Sequence, residues 1–343
     1  MTGNRKKWVF WLEELGQLDN DVVGKKAANL GEMTKMGVRV PPGFALSVEM
    51  YTDFLNMTGA INEIRKSLSG FVGTSFKEFN EISANIRQIV ESKAIPQEMG
   101  ETIASHYEAL CQRCCNTGEV AVSTRSAGPA SHPGQYETYL NVRGRSDLID
   151  KIKRVWASTF NTRSLVFRGQ KEMPLESDPI GVVVLKMVNA RAAGVIFTAD
   201  PNTGDTTKMI SEANWGLGES VVSGTSTPDT YILDKENLEI REKKLGAKSK
   251  YVTFEEIGVA EKEISPDMRE TFCLSEEELR EIGKLGKMLE EHFGVPQDAE
   301  WAIDKNLPFP ENVILLQTRP EVIAQRKKPV DQIIDYMVRR FST

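Results

Sequence analysis

PQDAEWAID, residues 296–304, and LLQTRP, residues 315–320, read as two neighbouring β-strands. Alternate residues of a strand point to one face. Asp298 and Glu300 therefore stand side by side, and Gln317 and Arg319 share a face of the next strand. Two adjacent carboxylates are costly unless solvated or bound to a cation, and Mg²⁺ takes oxygen ligands. If the strands pair, the acidic face meets the Arg/Gln face. Carboxylates could then hold a metal while arginine neutralises a phosphoryl group in transfer. Read alone, the first segment is equally a solvated strand face, and the second a plain cross-strand ion pair.

Two further segments point to phosphate. Arg125-Ser126-Ala127-Gly128 opens a stretch of small residues that runs to Gly134, where backbone amides can approach an anion and guanidinium gives a two-pronged contact. Gly24-Lys25-Lys26 stands at a helix entrance, and a lysine beside helix N-terminal amides can hold phosphate. An ordinary surface turn and an ordinary surface helix explain each segment taken singly. No Gly-x-x-x-x-Gly-Lys-Ser/Thr loop and no protein-kinase catalytic loop occurs, and Gly216-Leu217-Gly218 is only a fragment of a glycine-rich signature.

The chain has 343 residues, enough for two domains or two lobes. Lys plus Arg is 43 and Asp plus Glu is 49, for a net charge of −6, which supplies no general reason to bind nucleic acid or an anionic membrane. The longest apolar stretch, Ile180–Val188, is interrupted by Lys186 and is far short of a membrane span. The cytoplasm is the expected compartment. Cys111, Cys114 and Cys115 near His106 suggest zinc, but a second ligand pair is missing, so a helix using cysteine as a small hydrophobe is preferred.

Along the chain, the pattern predicts a strand, a helix over Lys26–Met36 and an extended segment ending at Leu46. A helix capped by Ser47 follows, then amphipathic helix through most of 59–117. Strands are expected at 120–122 and 139–142, and one long helix over Asp147–Arg168. Four strands (180–188, 194–198, 207–212 and 229–233) precede a hairpin-like region at 238–254. A helix over Ser275–Phe293, strands near 298–303 and 313–317, and a tail helix over Val330–Phe341 complete the expectation. Asp200 before Pro201 suits an Asx-turn.

VGKKAANLGEM, VPPGFALS, TRSAGPASHPGQYETYLNV, AGVIFTADPNTG, EANWGLGESVVSG and PQDAEWAID–LLQTRP occur in this order over nearly the whole chain. Together they resemble the N-terminal nucleotide-binding domain of the phosphoenolpyruvate synthase and pyruvate phosphate dikinase family. The resemblance implies an α+β, ATP-grasp-like fold of two lobes with ATP in the cleft between them. The N-terminal lobe would be 1–186, with a helical insert at about 59–117. The C-terminal lobe would be 187–325, and 326–343 a tail helix.

By position, the resemblance places Lys26 and Arg125 on phosphates and Gln317 and Arg319 on the β/γ-phosphates, and these four would be catalytic. Lys186-Met187-Val188 would meet adenine through its backbone. Glu212 and Glu219 would line the cleft, and Mg²⁺ would be held by Asp298, Glu300 and Gln317. The chain departs from the family in having Lys25 before Lys26, where many synthases have glycine, and Leu185 where relatives often have glutamine.

The family's phosphohistidine motif is absent; His106, His132 and His292 stand elsewhere. The resemblance therefore implies transfer of the β-phosphoryl group of Mg-ATP to a histidine on a separate subunit, giving AMP and phosphate. That partner would carry the swivelling phosphohistidine domain and the acceptor-substrate domain. The stand-alone size resembles the smaller subunit of phenylphosphate synthases, which phosphorylate phenol in anaerobic aromatic degradation. The start MTGNRKK and the tail past Arg319 favour a split subunit over a cut chain. A split or truncated pyruvate-using synthase and a non-catalytic nucleotide-sensing module are the alternatives.

Overall fold

The computed structural model describes residues 7–73, 75–114, 118–128 and 136–321. Cys115, His132, most of the small-residue stretch after Gly128, and the expected tail helix lie outside the described residues. The chain divides into two compact units. The first is Met1–Arg191 with Val252–Lys262 and Ala302–Gln317; the second is Ala192–Tyr251 with Glu263–Trp301 and Thr318–Thr343.

The first unit begins β1 (Val9–Trp11), α1 (Asn20–Val23), α2 (Lys25–Lys35), β2 (Gly43–Leu46), α3 (Val48–Met57), α4 (Ala60–Leu68), α5 (Phe76–Ser92) and α6 (Gln97–Cys114). It continues β3 (Val122–Ala127), β4 (Thr138–Val142), α7 (Arg145–Ala157), α8 (Thr162–Gln170) and β5 (Gly181–Lys186). Its strands form an antiparallel sheet in the order β1-β2-β5-β3-β4. The valine run of β5 is buried from Val182 to Leu185, as expected for an inner strand covered on both faces. Ser47 accepts the Met50 amide and caps α3 as its sequence predicts. The helices enclose one core around Tyr51, Phe54, Ile86, Ile103 and Trp156.

Two local expectations fail here. The helix expected over 147–168 is broken, because Ser158–Phe160 tightens into a 3-10 turn. The Ser158 and Thr159 hydroxyls turn back onto the carbonyls of Val155 and Trp156, and Asn161 restarts the helix by capping Ser164. The strand opening at Val120 runs on through Arg125 to Ala127, because β3 is paired on both sides: Arg125 lies between Thr138 of β4 and Val183 of β5. Arg125 is therefore a strand residue. Cys111 and Cys114 sit on α6 against the core, and the Cys111 thiol accepts the Val120 amide, which supports the hydrophobe reading.

The remaining elements are β6 (Ala190–Phe197), β7 (Lys208–Trp215), α9 (Glu219–Val222), β8 (Asp229–Asp234), β9 (Ile240–Lys244), β10 (Lys250–Phe254), β11 (Val259–Glu263), α10 (Pro266–Arg269), α11 (Glu276–Phe293), β12 (Gln297–Asp304) and β13 (Val313–Pro320). A six-stranded sheet has the order β13-β12-β6-β7-β8-β9. The hairpin expected at 238–254 is not formed. β9 instead pairs with β8, and β10 pairs with β11.

α11 starts with a capping box between Ser275 and Glu278 and buries Leu279, Ile282, Leu285 and Leu289. At Gly286 it lies against Ile196, Thr198 and Met209, which places α11 on one face of the sheet. The same face buries a fully enclosed ion pair. Lys248 donates to Asp229 at 2.5 Å and to the Thr271 carbonyl at 2.8 Å, and Asp229 also accepts the amides of Gly246 and Cys273. Two loops, 246–248 and 271–273, are thereby tied to the start of β8. The Asx-turn is present: Asp200 Oδ1 accepts the amides of Asn202 and Thr203. The sheets and helices together make an α+β protein.

Candidate functional site

In the first unit, the predicted phosphate segments meet. Gly24 precedes α2 with φ +82°, a left-handed conformation that favours glycine. A Cβ at this position would lie 1.8 Å from the Ala127 carbonyl oxygen. The Lys25 amide donates to the Gly128 carbonyl at 3.0 Å. The entrance of α2 is therefore docked against the end of β3, two residues beyond Arg125. Lys26 occupies the first turn of α2 and is half-buried, as is Arg125. Helix geometry leaves first-turn amides without partners inside the helix, and the helix dipole favours an anion there. Two basic side chains and a helix N-terminus thus come from segments far apart in sequence, at Lys26 and Arg125.

Lys186 ends β5 opposite Val122 of β3, and Met187 and Val188 follow it. The backbone here is partly committed. Lys186 N–H donates to the Pro42 carbonyl and Met187 N–H to the Ala121 carbonyl, while the Val188 carbonyl accepts from Ala190. Of the adenine-binding expectation, the amides of Lys186 and Met187 are thus already used within the protein.

The second unit gathers a different set. At Gly194 a Cβ would meet the Trp301 ring, so Trp301 and Ile196 share the α11 face. Alternation then puts Asp298 and Glu300 on the opposite face. Glu212 pairs with Val195 in register and points to that opposite face as well. Arg319 reaches Asp298 from β13: Nε is 2.8 Å and Nη2 is 2.6 Å from Asp298 Oδ2. The strands expected to pair do pair, and the acidic and basic faces meet as one ion pair. Gln317, two residues earlier on β13, is buried and is the last residue of the 302–317 segment of the first unit. Glu219 is exposed at the first position of the one-turn α9.

The electrostatics of this face are unusual. Burial raises the Glu212 pKa above the ordinary carboxylate value. Burial also raises Asp298; Arg319 opposes the shift and the nearby Glu300 adds to it. Glu321, one residue past β13, was not anticipated from sequence. Burial raises its pKa to about 7, helped by the charges of Asp298 and Glu290 and opposed by the Ala199 amide and Lys235. Glu321 accepts the Ala199 amide at 3.1 Å, and its own amide donates to Pro296 at 2.8 Å, joining the end of β13 to the start of β12. A glutamate after a Gln-x-Arg-Pro strand carries no signal of this environment.

The residues fit a lightly ligated Mg²⁺. Among the described residues no group of three or more His, Cys, Asp or Glu side chains could enclose a metal. Mg²⁺ commonly keeps its waters and takes only one or two carboxylates, the rest coming from substrate phosphates. Asp298 and Glu300 are the carboxylates of this strand face, and Asp298 Oδ2 is held by Arg319.

These segments also match known proteins. A family model described as the pyruvate phosphate dikinase AMP/ATP-binding domain matches residues 20–339. The chain belongs to this family. Among curated relatives, a probable phosphoenolpyruvate synthase of Methanothermobacter thermautotrophicus is 38% identical over 92% of this chain and 46% of its own length. The phosphoenolpyruvate synthases of Aeropyrum pernix and Pyrococcus furiosus are 36% and 35% identical, over 94% and 92% of this chain and 43% and 44% of theirs. The chain thus spans less than half the length of these relatives. Among the described residues no helix is long and apolar enough to cross a membrane.

Proposed function

We propose that this chain binds Mg-ATP between two ATP-grasp-like lobes and acts as the nucleotide half of a dikinase-type phosphotransferase. The β-phosphoryl group passes to a histidine carried outside the present sequence, and water takes the γ-phosphoryl group, leaving AMP and phosphate. The observation that carries this reading is the docking of the Gly24–Lys26 helix entrance onto the end of β3 beside Arg125, in a chain of an AMP/ATP-binding family. Lys26 and Arg125 bind phosphates, and Arg319 and Gln317 act at the β- and γ-phosphates. Glu300 and Gln317 hold Mg²⁺, the Met187 carbonyl and Val188 amide meet adenine, and Glu212 lines the cleft. Mg²⁺ supplies charge neutralisation across the phosphates.

The relatives named phosphoenolpyruvate synthase favour pyruvate as the final acceptor over phenol. The cytoplasm is the compartment in which such chemistry draws on ATP. The partner is a phosphohistidine-bearing domain, supplied on another subunit or on a longer version of this chain.

The test uses ATP labelled separately at the β- and γ-phosphates, with and without a polypeptide bearing the acceptor histidine. The expected result is β-label on the acceptor, γ-label in free phosphate, and AMP. Lys26→Ala and Arg319→Ala should each reduce transfer on the order of 10²–10³-fold, as loss of a preorganised charge-stabilising donor does. ADP as product, or γ-label on the acceptor, overturns the reading. Parallel reactions with pyruvate and with phenol separate the two acceptors.

A further inference from the structure

We propose that Asp298 is a positioning residue for Arg319 and not a ligand of the metal. The inference rests on the nucleotide reading above and reassigns one residue within it.

The geometry is specific. Arg319 presents two donors, Nε and Nη2, and both converge on one oxygen of Asp298, at 2.8 and 2.6 Å. The Asp298 side chain is 10% exposed and the Arg319 side chain 40% exposed. The carboxylate is thus the buried, fixed partner, and the guanidinium is the group that reaches outward. Arginine has five N–H donors in a rigid fork. Two are spent on Asp298, and that contact orients the plane of the remainder. An arginine held this way meets an anionic phosphate with little ordering cost, which is how supporting hydrogen bonds improve a binding group.

The surroundings hold Asp298 in place from the protein side. Gln297, the residue before it, is locked by Thr198 and Thr318: Gln297 N–H donates to Thr198 Oγ1 at 2.8 Å, and Thr318 Oγ1 donates to Gln297 Oε1 at 2.8 Å. Thr318 is in turn the residue before Arg319. The two side chains of the pair therefore sit on strands whose neighbouring residues are bonded to each other on the opposite face. Glu321 and Pro296 close the same strand ends. Both Arg319 donors fall on Asp298 Oδ2, so the guanidinium takes the better part of this carboxylate's charge, and Glu300 is the next carboxylate along the face.

The test is a double-mutant cycle on ATP affinity, with three independent readouts. First, the Arg319 Nε–H proton should exchange slowly with water in the nucleotide-free wild type and quickly in Asp298→Asn. Second, Asp298→Asn should weaken ATP binding about tenfold in the wild type and less than about twofold in the Arg319→Ala background, because coupled residues are not additive. Third, the affinity of the ATP complex for Mn²⁺ should stay within about twofold in Asp298→Asn and fall at least about tenfold in Glu300→Gln, as loss of a direct ligand predicts. Arg319→Lys tests the same point without touching Asp298. It keeps the charge but not the fork, and should lose as much ATP affinity as Arg319→Ala.

Equal losses for Asp298→Asn in both backgrounds, or a Mn²⁺ loss matching that of Glu300→Gln, would overturn the positioning role while leaving the nucleotide reading intact. Failure of the wild type to bind ATP at all overturns that reading and this role with it.

Discussion

At the scale of single residues, the most consequential features are charges whose surroundings could not be read locally. Asp229 and Lys248 are fully buried and held by four further groups of the fold. Breaking a buried pair leaves an uncompensated charge in low dielectric. Asp229→Ala should therefore cost about 3–5 kcal/mol, measured by urea denaturation. Glu321 gives a pH prediction whose sign follows from its raised pKa. Its folded value of about 7 exceeds its ordinary value of 4.5, so between these pH values the folded state holds the proton more tightly than the unfolded state. The group's contribution is complete below pH 4.5 and is lost as pH rises toward 7. Glu321→Gln should flatten the fall in melting temperature across that window and leave the variant the more stable protein above it. A variant whose melting profile tracks the wild type at every pH would contradict the assignment.

At the scale of elements, the entrance of α2 depends on one backbone contact. Gly24 combines a left-handed φ with an approach to the Ala127 carbonyl that leaves no room for a Cβ. Gly24→Ala should destabilise the protein by more than about 1 kcal/mol, since an L-residue is strained at this φ as well as obstructed. Thermal melting measures the loss, and nucleotide affinity should fall with it because the phosphate segments part. Elements with strong local signals were legible in sequence. The Ser275–Glu278 capping box and the three- and four-residue spacing of leucines specify α11, and Ser47 specifies the start of α3. The break at Ser158–Asn161 was not legible, because side-chain hydroxyls competing for helix carbonyls win or lose according to packing. The partner of β9 was not legible either. Several consecutive strands here are joined by short connections, and local pattern does not say which connection turns back: β9 pairs with β8 before it, and β10 with β11 after it.

At the scale of the whole molecule, the chain is less than half of its relatives, and chemistry needing a histidine acceptor should depend on what supplies the rest. Alone, it should bind ATP and gain stability. Ligand at about 100 times its dissociation constant adds about 2.7 kcal/mol, visible as a rise in melting temperature that increases with ATP concentration. AMP formation should appear only when the histidine-bearing partner is added. Rapid AMP production by this chain alone with phenol or pyruvate would contradict that dependence. The net charge of −6 is compatible with a polyanionic ligand, because Lys26, Arg125 and Arg319 concentrate positive charge at particular segments.

The amino-acid sequence by itself determined the family, through motifs in a fixed order, and most of the helices and strands, through periodicity, caps and turn residues. These are short-range properties, carried by residues within a turn or two of one another. It also indicated which residue types bear the chemistry. Only the tertiary structure decided that Gly24 meets Ala127, that Arg125 lies within a strand, that Arg319 is spent on Asp298, and that Glu321 is driven toward neutrality. Each of these depends on which distant segment arrives as a neighbour and on how much water that neighbour excludes. Hydrogen-bond partners and local dielectric are set by packing across the fold, and no local sequence pattern encodes them.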